Sequence, residues 1–195
     1  MPSPSLADNV ARVREALVDA CARAQRDPAE ITLIAVSKQK PTSAILEAVA
    51  AGLQHFGESR VEEAQEKIAQ VRGASGQPMT WHMIGHIQSR KARQVPPLFD
   101  VVHSVDSLRL AQRLAEAAAA RPEGRPLPVL VQVNISGEAA KSGLPALGWE
   151  HEAAVREALS AEISAIAAQP GLDVRGLMTI APLAPDPEQA RPFFA

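Results

Sequence analysis

Val129-Leu130-Val131-Gln132-Val133-Asn134-Ile135 is the stretch on which the fold reading turns. It is short, apolar and rich in β-branched residues, the pattern of a strand buried on both faces. Pro122, Gly124 and Pro126 break the chain before it. After it comes a long helical stretch carrying Trp149, Val155, Leu159, Ile163 and Ile166, ended by Pro170-Gly171. A doubly buried strand followed by a helix is half of a crossover unit, and such units build parallel sheets.

The same alternation recurs outward on both sides. Leu6, Val10, Val13, Leu17 and Cys21 fall on one face of a helix over 6–24. The apolar run 31–36 predicts a buried strand, and Pro41-Thr42 starts a helix that stops at Gly52. A strand over 53–56 precedes a helix capped by Ser59, with Val61, Ala64, Ile68 and Val71 on one face. Strands follow over 80–84 and 101–105, with a basic helix from Ser89 and another helix over 107–120. A last strand over 174–180 precedes a capped helix start at Asp186-Pro187-Glu188-Gln189. Six strand–helix units in series leave two architectures, an open doubly wound sheet or a (β/α)8 barrel. A barrel needs eight units, usually in about 250 residues. The chain stops at Phe193-Phe194-Ala195, and the expectation is a fragment lacking its C-terminal part.

Composition excludes several function classes. The 195 residues hold 20 basic and 22 acidic side chains, a net charge of -2, and only 3% are aromatic, which argues against a nucleic-acid surface. No apolar run is long enough to span a bilayer. The start, MPSPSLADNV, lacks the pattern of a signal peptide, and Cys21 is the lone cysteine. A cytoplasmic protein is expected. No long exposed apolar stripe stands out, so a monomer is expected.

Four segments carry candidate chemistry. Lys38 and Lys40 follow directly on the first strand, and the carboxyl ends of strands line the active sites of parallel α/β folds. A lysine desolvated there can serve as a neutral, nucleophilic amine; otherwise it is a solvated loop residue. Lys38 lies nearer the strand, and Lys40 abuts Pro41. His82 and His86 are expected to share a strand face, which invites a metal, but further ligands are not evident and no metal site is expected. Ser89-Arg90-Lys91-Ala92-Arg93 reads as an anion site at a helix start or as a solvated basic face. Gly137-Glu138-Ala139-Ala140-Lys141-Ser142-Gly143 hints at a phosphate loop, but Ala140 stands where a Walker motif needs glycine. No G-x-G-x-x-G occurs anywhere in the chain.

Taken in order, the motifs resemble the YggS/PROSC family of pyridoxal phosphate homeostasis proteins. They are Ala35-Val36-Ser37-Lys38, Phe56-Gly57-Glu58-Ser59, Trp81-His82-Met83-Ile84-Gly85-His86-Ile87-Gln88 and His103-Ser104-Val105-Asp106-Ser107. Gln132-Val133-Asn134-Ile135-Ser136, Lys141-Ser142-Gly143 and Arg175-Gly176-Leu177-Met178 complete the series. The resemblance runs from the first helix to Ala195. It implies an α/β fold of the alanine racemase N-terminal type, a (β/α)8 TIM barrel of fold type III, with about six of eight units present in one domain over 1–195. It implies pyridoxal 5'-phosphate (PLP) held as an internal aldimine on Lys38, with His82, Asn134 and Met178 lining the ring pocket and Lys141 near the entrance. The implied role is vitamin B6 homeostasis without turnover and without catalytic residues, in which the protein binds, buffers or hands PLP to dependent apo-enzymes.

The chain departs from the family pattern at Ser59 and at Arg90, where the family usually has Asn. The family's C-terminal segment is also absent from these residues, and barrel phosphate sites usually come from the loops after strands seven and eight. Losing two or three hydrogen bonds to a phosphate would weaken binding by about a thousandfold or more. The alternative is a PLP-dependent racemase-like enzyme of fold type III. Such racemases pair a lysine with a tyrosine, and the chain contains no tyrosine.

Overall fold

The structure is a computed structural model and describes residues 4–121 and 124–194. Pro122, expected as a chain breaker, and the terminal Ala195 lie outside the described residues. The chain packs as two compact units. One runs to Glu58 and takes in Glu62–His82; the other takes Ser59–Val61 and the chain from Met83 onward.

The first unit opens with α1 (Leu6–Arg23), started by a capping box. Ser5 Oγ accepts from the Asp8 amide at 3.1 Å, and the Ser5 amide donates back to the Asp8 carboxylate at 3.0 Å. The Ser5 hydroxyl, donating to the Asp8 carboxylate at 2.7 Å, and then the Ser5 amide hold that carboxyl below its usual range. β1 is only Ala35–Val36, followed by α2 (Thr42–Ala50), β2 (His55–Glu58), α3 (Val61–Ser75) and β3 (Thr80–Met83). β1 and β2 are parallel, with Ala35 opposite Phe56 and Val36 opposite Gly57.

That register explains why the first strand is shorter than the run 31–36 predicts. Carried backward, it would place Thr32 opposite Leu53 and Ile31 opposite Gly52. Both partners already close the end of α2: the Gly52 amide donates to Val49 O at 2.9 Å and the Leu53 amide to Ala48 O at 3.0 Å. Gly52 makes this turn with φ 81°, a conformation that favours glycine. The same turn moves β2 from the expected 53–56 to His55–Glu58. Phe56 and Trp81 pack at 5.5 Å between ring centroids, both buried.

The second unit is built on β5 (Leu127–Asn134), the strand first read from the sequence. β5 pairs in parallel with β4 (Val101–Val105) and with β7 (Leu172–Met178), while β6 (Leu144–Pro145) extends the pairing at its end. Leu127, Val129, Val131, Gln132 and Val133 of β5 are all buried. α4 (Leu108–Ala118) buries Leu110, Ala111, Leu114, Ala115 and Ala118 on one stripe, and Ser107 caps it by accepting from the Leu110 amide at 3.3 Å. α5 (Ala153–Ala167) starts later than the sequence suggests. Gly148, at φ 82°, turns the chain first, and Trp149 stays in that turn, where its carbonyl accepts from Arg156. The basic stretch at Ser89 is a 3-10 helix, Ser89–Gln94. A short 3-10 turn has little macrodipole, so the anion site expected at a helix start loses its basis there. Asp186 caps a 3-10 helix, Pro187–Phe193, by accepting from the Glu188 amide at 2.9 Å.

Among the described residues, no helix is long and apolar enough to cross a membrane.

Two stability effects are expected. Leu114→Ala empties a fully buried position and should cost about 2–5 kcal/mol in urea unfolding, whereas Leu183→Ala, at a fully exposed position, should fall within about 0.5 kcal/mol of wild type. His103 on β4 is largely buried, and burial pushes its pKa below the ordinary 6.5. The unfolded chain therefore takes up that proton at a higher pH than the folded one. Stability should be intact above pH 6.5 and decline as pH falls toward the folded-state pKa. Unfolding midpoints measured from pH 7.5 downward should show less of this decline in His103→Gln.

Candidate functional site

Lys38 leaves the carboxyl end of β1 between a buried Ser37 and a Gln39 in the left-handed region at φ 59°. Its own side chain is exposed. The residues on either side of it are held. Lys67, on α3, points its ammonium into the first unit and donates to three acceptors. These are Ser37 O at 2.8 Å, Glu58 Oε1 at 2.8 Å and Glu63 Oε1 at 2.7 Å. The Ser37 hydroxyl donates to the same Glu58 oxygen at 2.7 Å. The Gln39 amide donates to Glu63 Oε1 at 2.5 Å. The Lys40 amide closes the turn onto Ser37 O at 3.1 Å.

Glu58 is completely buried and Lys67 nearly so, with relative exposures of 0% and 8%. Burial works against the Lys67 ammonium. Hydrogen bonds and Coulomb attraction from Glu58 and Glu63 outweigh it, so the Lys67 pKa lies above the ordinary 10.5. Glu58 Oε2 is buried and has no hydrogen-bond partner among the described residues.

The sequence reading passed over Lys67 and Glu63. A signal was present, because Lys67 falls within the apolar stripe of Ala64, Ile68 and Val71, and a lone lysine on a buried helix face needs acidic company. The spacing of Glu63 and Lys67, one helical turn apart, was the other part of it.

His82 lies on β3, is buried, and has Nε2 3.0 Å from His55 Nδ1 on β2. His86 does not share its strand face, because β3 ends at Met83. The backbone beyond it runs so close to Ser59 that a Cβ on Gly85 would sit 2.2 Å from Ser59 O. His86 Nδ1 is instead 3.0 Å from Asp106 Oδ2 and 3.3 Å from the Ser142 hydroxyl. Among the described residues, no group of three His, Cys, Asp or Glu side chains is arranged to hold a metal ion.

Asn134 ends β5 and organises the loop after it. Its amide nitrogen donates to Glu138 O at 3.0 Å and Lys141 O at 3.4 Å, and its oxygen accepts from the Gly137 amide at 3.0 Å. Lys141 donates to Ile180 O at 3.2 Å and pairs with Glu138. Hydrogen bonds from Lys141 and Ser136 hold the Glu138 carboxyl below its usual range. Gln132 anchors the far side of the loop by donating to Ser142 O at 2.9 Å. Gly143, at φ 126°, has no room for a side chain, since a Cβ would lie 2.8 Å from the Asn134 amide. Beside this loop is a cavity of about 250 Å³ lined in part by Gly85, His86, Gln132, Asn134, Lys141 and Ser142. Met178 ends β7, half-buried and opposite Gln132 in the register.

Of the expected site residues, Lys38 and His82 thus belong to the first unit, Asn134 and Met178 to the second. Each stands at or just beyond the carboxyl end of a strand.

The alanine racemase N-terminal domain family matches residues 5–194. A pyridoxal phosphate homeostasis protein of Pseudomonas aeruginosa is 44% identical over 188 residues, which cover 96% of this chain and 73% of that protein. The solved structure of PipY from Synechococcus elongatus PCC7942, with PLP bound, matches with a TM-score of 0.70 at 38% identity, over 90% of this chain and 74% of that one. An alanine racemase of Clostridium difficile matches with a TM-score of 0.54 at 15% identity, over 85% of this chain and 39% of that one, a likeness of fold alone. The chain therefore belongs to the alanine racemase N-terminal domain family, has the α/β barrel-type fold of that family, and groups within it with the pyridoxal phosphate homeostasis proteins.

Proposed function

We propose that this protein binds PLP through the Lys38 amine and serves intracellular PLP homeostasis without turning over a substrate. The observation that carries this reading is the pinned loop after β1. It presents an exposed lysine at the carboxyl end of a strand while fixing the peptide groups on both sides of it. The donor set fits the aldehyde end of the cofactor, because a primary amine is the group that captures an aldehyde. When bound, PLP supplies an aldehyde and a conjugated ring that can accept electrons. The names of the relatives and the PLP-bound PipY structure support the same cofactor.

The chain's own residues supply binding and orientation. Lys38 provides the covalent anchor. His82, Asn134 and Met178 are proposed to line the ring's surroundings, His82 held through His55 and Asn134 through its own loop. Residues 1–195 serve as one cofactor-binding domain, monomeric and cytoplasmic, that passes PLP to apo-enzymes.

The test is reductive trapping. The protein is mixed with PLP, reduced with borohydride, digested and mapped by mass spectrometry, with Lys38→Ala in parallel. One label per chain on Lys38, lost in the variant, is the expected result. Scattered, substoichiometric labelling of several lysines would overturn the reading.

A further inference from the structure

Lys38 sits in a loop whose conformation is not dictated by strand pairing. The ladder between β1 and β2 pairs Ala35 with Phe56 and Val36 with Gly57, and ends with the Ser37 amide donating to Gly57 O at 2.9 Å. Beyond that point the backbone turns through Gln39 at φ 59°, a conformation that costs a non-glycine residue about 1 kcal/mol or more. Within the loop the Lys40 amide closes the turn onto Ser37 O at 3.1 Å, and further bonds reach it from outside. The two peptide groups that flank Lys38 are bonded to two side chains from one turn of α3. Ser37 O accepts from Lys67, and the Gln39 amide donates to Glu63. Glu63 and Lys67 are themselves joined at 2.7 Å, and Lys67 is tied to the buried Glu58 at the end of β2. The result is a bracket around one residue: it engages Ser37 and Gln39 on either side and leaves the exposed Lys38 side chain outside it.

We propose that Glu63 and Lys67 are positioning residues for Lys38: they clamp the peptide groups before and after it, so that its amine is presented in one orientation for the aldehyde. Neither touches the cofactor. The proposal rests on the reading of Lys38 as the PLP anchor. It goes beyond that reading by assigning a task to a buried ion network that a fold of this size does not need for packing. A buried ion pair is costly to desolvate and is often no more stabilising than apolar residues of the same volume. Here its acceptor set includes the backbone at the one loop that carries the proposed anchor.

Glu63 is the decisive position. Lys67→Met would strand the buried Glu58 carboxylate and is expected to unfold the first unit. Glu63→Ala keeps the Lys67–Glu58 pair and the Lys67 bond to Ser37 O, and removes the acceptor of the Gln39 amide together with one of the three acceptors of Lys67. Glu63→Gln keeps an oxygen at that position and serves as the rescue. Two readouts are taken on the 195-residue chain. The first needs no cofactor: amide hydrogen exchange at Gln39, compared with amides in the middle of α3. The second is the PLP concentration for half-maximal borohydride-trapped label on Lys38.

In Glu63→Ala, Gln39 exchange should quicken by about tenfold or more, and half-maximal labelling should need about tenfold more PLP, with α3 exchange unchanged. Glu63→Gln should recover most of both. Unchanged Gln39 exchange and unchanged labelling in Glu63→Ala would overturn the positioning role while leaving Lys38 as the anchor. A wild-type chain that takes no stoichiometric label on Lys38, while Gln39 exchange still responds, would overturn both. The bracket would then order a loop and nothing more.

Discussion

The ammonium of Lys67 is the contact on which the rest of the first unit depends. It is buried, and a buried charge persists only when its hydrogen-bonding capacity is met. Lys67 has three protons and three acceptors: the carbonyl of Ser37, the carboxylate of Glu58 and the carboxylate of Glu63. Each acceptor comes from a different element, so one side chain ties the end of β1, the end of β2 and the first turns of α3 together. The arrangement also satisfies Glu58 Oε1, which accepts from Ser37 as well. The apolar contacts around it, with Ile68 and Val71 on the same helix, supply most of the burial. They do not by themselves set the path of the loop, because apolar packing is not directional.

The second unit uses a different device at the corresponding place. The loop after β5 is held from within, by the side chain of Asn134 bonding to Gly137, Glu138 and Lys141. Asparagine suits that task because one amide carries both donors and acceptors. The loop closes over Gly143, where the backbone comes too near β5 for a Cβ. In both units, then, a polar network fixes the segment that leaves the carboxyl end of a strand, the end at which parallel α/β folds place their chemistry. The chain belongs to the alanine racemase N-terminal domain family, and the PLP-bound PipY structure is similar to it.

Much of the element order was legible. The helix over 107–120, the buried run of β5 and the cap at Asp186 are local patterns, and each forms close to where its residues predict. The departures have one kind of cause. Residues 31 and 32 fall in an apolar, β-branched run, yet they lack a ladder because their would-be partners Gly52 and Leu53 close α2. His86 leaves the face of His82 because the backbone at Gly85 passes against Ser59. Trp149 stays out of α5 because Gly148 turns the chain first. In each case the path of the backbone, at a helix end, a close approach or a glycine turn, overrides the local apolar pattern.

Residue type and spacing, taken alone, determined the α/β alternation, the strand that begins near Val129 and the motif series. These depend on periodicity and on residues adjacent along the chain, and such information is written in one dimension. Only the tertiary structure decided which groups surround Lys38. Glu58, Glu63 and Lys67 lie between 20 and 29 positions further along the chain, and they meet the loop because the crossover through α2 and the turn of α3 bring them back to β1. Hydrogen bonds act over about 3 Å, so a network among residues so far apart in sequence exists only once the fold has set those distances.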